Sequence, residues 1–550
     1  MNNAKILMVV PNYSNSEKRD YNYTFPLGLA YVLSALKHKG MSPDVLNLNH
    51  LDGKSDQLLA AVLDRNKYDI VCTGGNSLLY HELKTIINTA NEHPAHPVTI
   101  LGGPVITSEP ELIFEALRPD YGVMGEGEVT TPELVDNITN KTGIAVAGTV
   151  YWRDDKATLA PVRSSISNLD EIPFPEFDDL GLNEWLDKIH CNSNYSTFEF
   201  DYPRLYPLMG GRGCPFNCTF CFHYEKHRER SLDNIFEELE VAVVKYNINI
   251  IGLYDDCFSL SQARMREFCR RMIELRTRIG RPLCWGVQLT VKKINDEMLI
   301  LLKNAGCNSI SYGFESFSAP VLKSMNKPIK PEEINNALRK TLEHHIVVQA
   351  NFIMGDIAET WETANETLDY WKKNCDGQVT LGFIQPYPGS EIYRHCVRKK
   401  IITDKLSFIE NNIAGEKTIN FTDNMSDEEY RRLTLEIYSA RLKYRRYVVP
   451  SNLIKDGERY TMEITCPYCR QSVICHNILL KKEFLFLYRF DFGCRLCARR
   501  FFVVSRFFPE LLELLNLMIR FRITTSLFEK IMHIMYNAAV VKNEKRASPR

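Results

Sequence analysis

Met209-Gly210-Gly211-Arg212-Gly213-Cys214-Pro215-Phe216-Asn217-Cys218-Thr219-Phe220-Cys221 decides how the rest of this 550-residue chain is read. Its cysteines are spaced C-x-x-x-C-x-x-C, behind a glycine-rich approach. Cys214, Cys218 and Cys221 are enough thiolates for three irons of a [4Fe–4S] cube and leave the fourth iron open to a substrate or cofactor, whereas a cluster that only carries electrons takes four cysteines. The competing readings are a zinc knuckle or three structural thiols, and both are weaker because the spacing is so compact.

Composition narrows the setting. Hydrophobic residues make up 45% and charged residues 25% of the chain, as in ordinary globular proteins. A formal net charge of −1 gives no strong nucleic-acid signal and none for an anionic membrane. Sixteen cysteines, spread through a long chain that runs from Met1 straight into a strand pattern, predict a reducing cytoplasm with the clustered cysteines as metal ligands. No apolar run reaches the ~20 residues of a membrane span, so the chain is not transmembrane.

Outward from the loop, the chain alternates strands and helices. On the amino side, short apolar runs at 5–10, 44–48, 68–72, 98–101 and 121–124 predict a parallel sheet covered on both faces, with ligands at its carboxyl ends. Those ends carry Thr73-Gly74-Gly75, Leu101-Gly102-Gly103-Pro104 and Gly125-Glu126-Gly127-Glu128, where glycine lets backbone approach a ligand closely. On the carboxyl side, six strands beginning near 205, 250, 283, 309, 347 and 380 predict a partial (β/α)6 barrel with functional residues on the loops after the strands. The expected division is an α/β domain over 1–150, a linker over 151–204, the barrel over 205–410, a helical extension over 411–457, a four-cysteine module over 458–506, and an amphipathic helix with a basic tail over 507–550.

The loop, with Phe220 before its last cysteine, resembles the signature of the radical SAM enzymes. The glycine-rich strand ends, with Pro26-Leu27-Gly28-Leu29-Ala30, resemble the flavodoxin- or Rossmann-like cobalamin (B12)-binding domain that precedes many radical SAM cores. The resemblance covers about residues 1–410. It implies that Cys214, Cys218 and Cys221 hold a [4Fe–4S] cluster whose open iron binds S-adenosylmethionine, and that one electron releases a 5′-deoxyadenosyl radical. It implies an electron donor such as flavodoxin or ferredoxin. It places Phe220, Asp255, Asp256, Glu315 and Gly355 at the S-adenosylmethionine site, with the acidic pair beside the ammonium group, where a charge-assisted hydrogen bond is strong. It places Gly102, Gly103, Gly125, Glu126 and Gly127 at cobalamin.

This chain departs from the family pattern at several points. Leu48-Asn49-His50-Leu51-Asp52-Gly53 lacks the leading aspartate of a cobalt-ligand histidine loop, so His50 is expected to be a surface histidine and cobalamin to bind without it. Gln288 stands where relatives often have arginine, which leaves Arg228 and Arg230 as candidate cations for the S-adenosylmethionine carboxylate. Ile357 stands where many relatives have proline.

Near the carboxyl end, Cys466-x-x-Cys469 and Cys494-x-x-Cys497 have the spacing of a zinc ribbon, in which four thiolates close a structural site. An auxiliary iron–sulfur cluster would use the same ligands. Taken together, the resemblance implies a cobalamin-dependent radical methyltransferase acting on an unactivated carbon of a small-molecule or natural-product substrate. The alternatives are a cobalamin-dependent cyclisation or rearrangement without methyl transfer, and a degenerate module that binds a carrier protein or nucleic acid. No catalytic acid or base is assigned.

Overall fold

The computed structural model describes residues 4–511 except 15, 194–197, 223–225, 293, 416, 481–486 and 510. The helix and tail expected over 507–550 therefore lie almost wholly outside the described residues.

The amino-terminal sheet holds β1 (Ile6–Val10), β2 (Asp44–Asn47), β3 (Ile70–Gly74), β4 (Val98–Gly102), β5 (Tyr121–Val123), β6 (Thr149–Arg153) and β7 (Lys156–Leu159) in the order 2-1-3-4-5-6-7. It is parallel through β5, while β6 and β7 pair antiparallel at one edge. All five residues of β1 and of β3 are buried, as befits central strands covered on both faces. The sheet thus runs past the boundary expected at 150, because β6 and β7 complete its edge. The linker that follows contains a helix, Leu182–Lys188. Phe177 stacks edge-on against Phe25 of the first domain and Tyr206 of the second, at 5.5 and 5.3 Å between ring centres, so the two cores meet through the linker.

The second sheet contains β8 (Leu205–Leu208), β11 (Ile250–Leu253), β12 (Cys284–Leu289), β13 (Cys307–Glu315), β14 (Val347–Met354) and β15 (Thr380–Phe383), all parallel and in sequential order. A two-residue ladder, β9 (Gly211–Arg212) with β10 (Arg228–Glu229), bridges the entry and exit of the cysteine loop. The intervening helices start where local chemistry dictates: Ser231, Ser261 and Asn295 cap theirs by accepting backbone N–H groups, and Pro331 opens another.

After the barrel the chain returns to the first domain, where Lys405 pairs with Glu109 and Lys84 with Glu410. The helix Asp427–Lys443 then lies on the barrel, burying Leu433, Ile437 and Ala440. Two small sheets end the described fold: β17 (Asn452–Asp456), β18 (Arg459–Thr465) and β19 (Ser472–Ile478) form one, and β16 (Tyr447–Val448), β20 (Arg489–Gly493) and β21 (Arg500–Val504) the other. No described helix is long and apolar enough to cross a membrane.

Candidate functional site

The cysteine loop leaves the carboxyl end of β8 and is tied down on three sides. Gly210 N–H donates to Asp255 Oδ1 at 2.7 Å. Asn326 Nδ2 donates to Asn217 O at 2.8 Å, and Thr219 N–H to Met325 O at 3.0 Å. Ile392 N–H closes the third side on Thr219 O at 3.0 Å. Cys214 and Cys218 are half-buried and Cys221 is exposed. Burial raises all three thiols, Cys221 to about 12, so a positively charged partner is needed to hold them ionised. Three thiols in one loop, anchored by backbone bonds, fit a cluster bound through three of its corners.

The predicted acidic pair divides. Asp255 is 4% exposed and turns beneath the loop, where burial pushes its carboxyl up to about 7. Asp256 is exposed and lines the main cavity beside Gly213 and Phe222. Glu315 sits at φ +59° and pairs with Lys327 Nζ at 2.9 Å. Lys327 is the cation whose charge opposes the upward shift at Cys214, Cys218 and Cys221 alike. Nothing in the spacing of residues 315 and 327 announced this pair. Arg228 and Arg230, the cations considered from sequence, are committed elsewhere: Arg228 pairs with Glu126 and Arg230 with Glu238. Phe220 packs into an apolar cluster with Met325, Ile384 and Ile392. Gly355, at φ +91°, donates to Glu359 Oε2 at 2.9 Å.

The cavity, about 790 Å³, lies between the carboxyl ends of the two sheets. Gly102, Gly103, Gly125, Glu126 and Gly127 all line it, with Met209, Gly211, Arg212 and Gly213 facing them. A Cβ at Gly102 would meet nothing nearer than Thr73 O at 4.0 Å, and one at Gly28 nothing within 4 Å. Their bareness is therefore not required by protein neighbours and leaves space for a broad ligand. Gly103 differs: its φ is +94°, and a Cβ would stand 2.7 Å from Gly75 O, so strand-end packing itself demands glycine.

Glu126 and Glu128 face the cysteine loop across the domain boundary. Arg212 donates to Glu126 at 2.6 Å and to Glu128, while Arg228 donates to Glu126 at 3.1 Å. Arg212 is 12% exposed and the two glutamates 6% and 8%, so the charges are nearly desolvated and depend on one another. His50 is not a surface histidine. Its ring is 7% exposed, 2.8 Å from Tyr23 Oη and 3.2 Å from Glu184, and burial holds its pKa below the ordinary value. The expectation failed because the linker helix folds over it.

The two carboxyl-terminal knuckles come together. Cys466 Sγ is 3.7 Å from Cys497 Sγ, and Cys469 Sγ is 3.7 Å from Cys494 Sγ. Four thiolates about 2.3 Å from a tetrahedral zinc would stand roughly 3.8 Å apart. That spacing suits one ion, whereas a cubane would spread its ligands over separate irons. Both knuckles turn alike: Arg470 and Ala498, each just past its second cysteine, have φ of +63° and +57° and donate to Cys466 O and Cys494 O.

Residues 19–135 match the B12 binding domain family, and residues 208–370 match the radical SAM superfamily. An uncharacterized methyltransferase of Pyrococcus horikoshii is 27% identical over 409 residues, 72% of this chain and 84% of that protein. An anaerobic magnesium-protoporphyrin IX monomethyl ester cyclase of Rubrivivax gelatinosus is 27% identical over 420 residues, 74% of this chain and 72% of that protein. Among solved structures, the radical S-adenosylmethionine methyltransferase TsrM of Kitasatospora setae, with cobalamin and a [4Fe–4S] cluster bound, superposes with a TM-score of 0.57 at 17% identity, covering 72% of this chain and 75% of that one. At that identity the likeness is one of fold.

Proposed function

From a chain that carries a B12-binding domain followed by a radical SAM domain, with a four-cysteine cluster behind them, we propose a cobalamin-dependent radical methyltransferase that acts on an unactivated carbon of a small molecule. The observation that carries the proposal is one cavity lined both by the residues that flank the three cysteines, Gly211 to Gly213 and Phe222, and by the glycine-rich ends of β3 and β4. When bound, the cluster and S-adenosylmethionine supply a carbon-centred radical that removes a hydrogen atom, and cobalamin supplies a methyl group.

The chain's own residues do the holding. Cys214, Cys218 and Cys221 would ligate the cluster, and the positive charge of Lys327 favours the ionised form of all three. Asp256, exposed in the cavity, would accept from the ammonium of S-adenosylmethionine, and Asp255 holds the loop that presents the thiols. Gly28 and Gly102 leave the face on which cobalamin would lie, with Gly125, Glu126 and Gly127 at its rim. Tyr13, Phe25, Leu29 and Leu78 give the walls an apolar surface that keeps water from a reactive intermediate. Electrons would come from a flavodoxin- or ferredoxin-type donor. Zinc in the Cys466–Cys469–Cys494–Cys497 site would be structural, a reading supported by the sulfur spacing. Relatedness to a ring-forming cyclase supports a second reading, radical cyclisation without methyl transfer.

Anaerobic purification with added cobalamin tests the proposal. About four irons, one cobalt and release of 5′-deoxyadenosine are expected, with iron lost in Cys218→Ser. A product heavier by one methyl favours methyl transfer, and a product of unchanged or lower mass favours cyclisation. Serine variants that retain iron would sink the cluster assignment.

A further inference from the structure

A second pair of thiols lies apart from both metal-ligand sets. The segment after the linker helix runs along the end of β19. Cys191 N–H donates to Asn477 O at 3.1 Å. Asn192 exchanges two bonds with Leu479, at 2.9 and 3.0 Å, and Asn477 Nδ2 reaches Asp201 O at 2.9 Å. These contacts bring Cys191 beside Cys475, a residue 284 positions later in the chain (475 − 191). Both are completely buried. Their sulfurs and an Asp201 carboxylate oxygen all lie within 4.8 Å of one another. Arg495 completes the group, with Nη2 at 2.6 Å from Asp201 Oδ1 and 3.6 Å from Cys191 Sγ.

The donor set could suggest a metal, but the third donor is already engaged. Asp201 Oδ1 accepts from Arg495 and also from His476 N–H at 3.0 Å. An ion would be left with two thiolates next to a guanidinium, short of the four ligands that close a zinc site. Two thiols in contact, with a cation at one of them, are instead an arrangement that oxidation can join, and because both are fully buried the oxidant reaches them through local opening of the linker segment. Consistently, the Cys475 thiol and the guanidinium hold Cys191 below the ordinary thiol value against its burial.

We propose that Cys191 and Cys475 are a dithiol that peroxide oxidises to a disulfide, covalently tying the linker to the four-cysteine module. Cys191 thiolate attacks one oxygen of hydrogen peroxide; the O–O bond breaks, hydroxide leaves, and the sulfur becomes a sulfenic acid. The Cys475 thiol, held protonated by its bond to Cys191 and by burial, gives up its proton as it attacks that sulfur; the S–S bond forms, the S–O bond breaks and a second hydroxide leaves. The hydroxides take up the two thiol protons. Two thiols and one peroxide thus give one disulfide and two waters. Arg495, donating to Cys191 Sγ, designates that sulfur as the one attacking peroxide.

The experiment uses the full-length protein, purified without oxygen and treated with one equivalent of hydrogen peroxide. It is then alkylated under denaturing conditions and mapped by peptide mass spectrometry. The expected product is a Cys191–Cys475 cross-linked peptide pair, two hydrogens lighter than its parts and separated by reductant, in the majority of chains. In Cys475→Ser the sulfenic acid at Cys191 is trapped by a dimedone-type reagent. Recovery of both cysteines as alkylated thiols, or pairing of either with another cysteine, overturns the proposal. So does a second equivalent of zinc that Cys191→Ser releases while the four-cysteine site keeps its own.

Discussion

Asp255 shows what one buried carboxyl does to this fold. Its folded-state pKa of about 7 lies above its ordinary value of 3.8, so the fold favours the protonated form. The stability this contributes is fully present below about pH 4 and is lost as pH rises through 7. Asp255→Asn keeps an oxygen for Gly210 N–H and cannot ionise. Relative to the unaltered protein, it should gain stability between pH 5 and pH 8 by something on the order of a few kcal/mol, read from urea unfolding at both pH values. An unchanged difference would mean that Asp255 does not titrate in that window. The adjacent carboxyl, Asp256, has no such burial, which is why two consecutive aspartates end up with separate roles. Sequence named both residues but could not divide them, because the division depends on which side chain the loop from β8 covers.

At the scale of elements, the strand ends and the knuckles make separable predictions. Gly103→Ala should destabilise the first domain by about 1–3 kcal/mol, since a left-handed backbone and the Gly75 carbonyl both oppose a side chain there. Gly102→Val should leave the melting temperature nearly unchanged but abolish cobalamin retention on dialysis, because only the cavity lies before it. Equal melting losses in the two variants would refute this distinction. In the ribbon, Cys466→Ser should remove the zinc and open the module to protease, as expected where a metal substitutes for a large core. Metal content by mass spectrometry and limited proteolysis check this, and full zinc occupancy in the variant would count against it. The element pattern itself was legible: alternation of apolar runs and capped helices sits in the local sequence. β6 and β7 were less so, since only pairing with β5 makes them part of the first sheet.

At the scale of the whole molecule two α/β units face each other across the cavity, and Arg212 is one of the contacts that join them. Removing it leaves Glu126 and Glu128 nearly desolvated, with Arg228 still beside Glu126 but no cation for Glu128. Arg212→Ala should cost about 3–5 kcal/mol in chemical denaturation, and adding Glu128→Gln should recover part of that loss. Additive losses would show that the pair does not couple the domains. The clamp has a functional corollary, because Arg212 lies two residues before Cys214 while its partners lie on the strand end that rims the cavity. The same arginine therefore joins the two domains and abuts the cysteine loop.

The cysteine loop, the parallel parts of the two main sheets and the two knuckles are all legible in local sequence. Each rests on residues close together in the chain: three thiols within eight positions, apolar periodicity within a strand or helix, and paired C-x-x-C turns. Only the tertiary structure decided that Arg212 grips Glu126 and Glu128, that Lys327 stands beside the cluster thiols, that His50 is buried, and that Cys191 meets Cys475. These are contacts between segments tens to hundreds of residues apart. Their pairing is set by how whole layers pack and desolvate one another, and no local spacing encodes that.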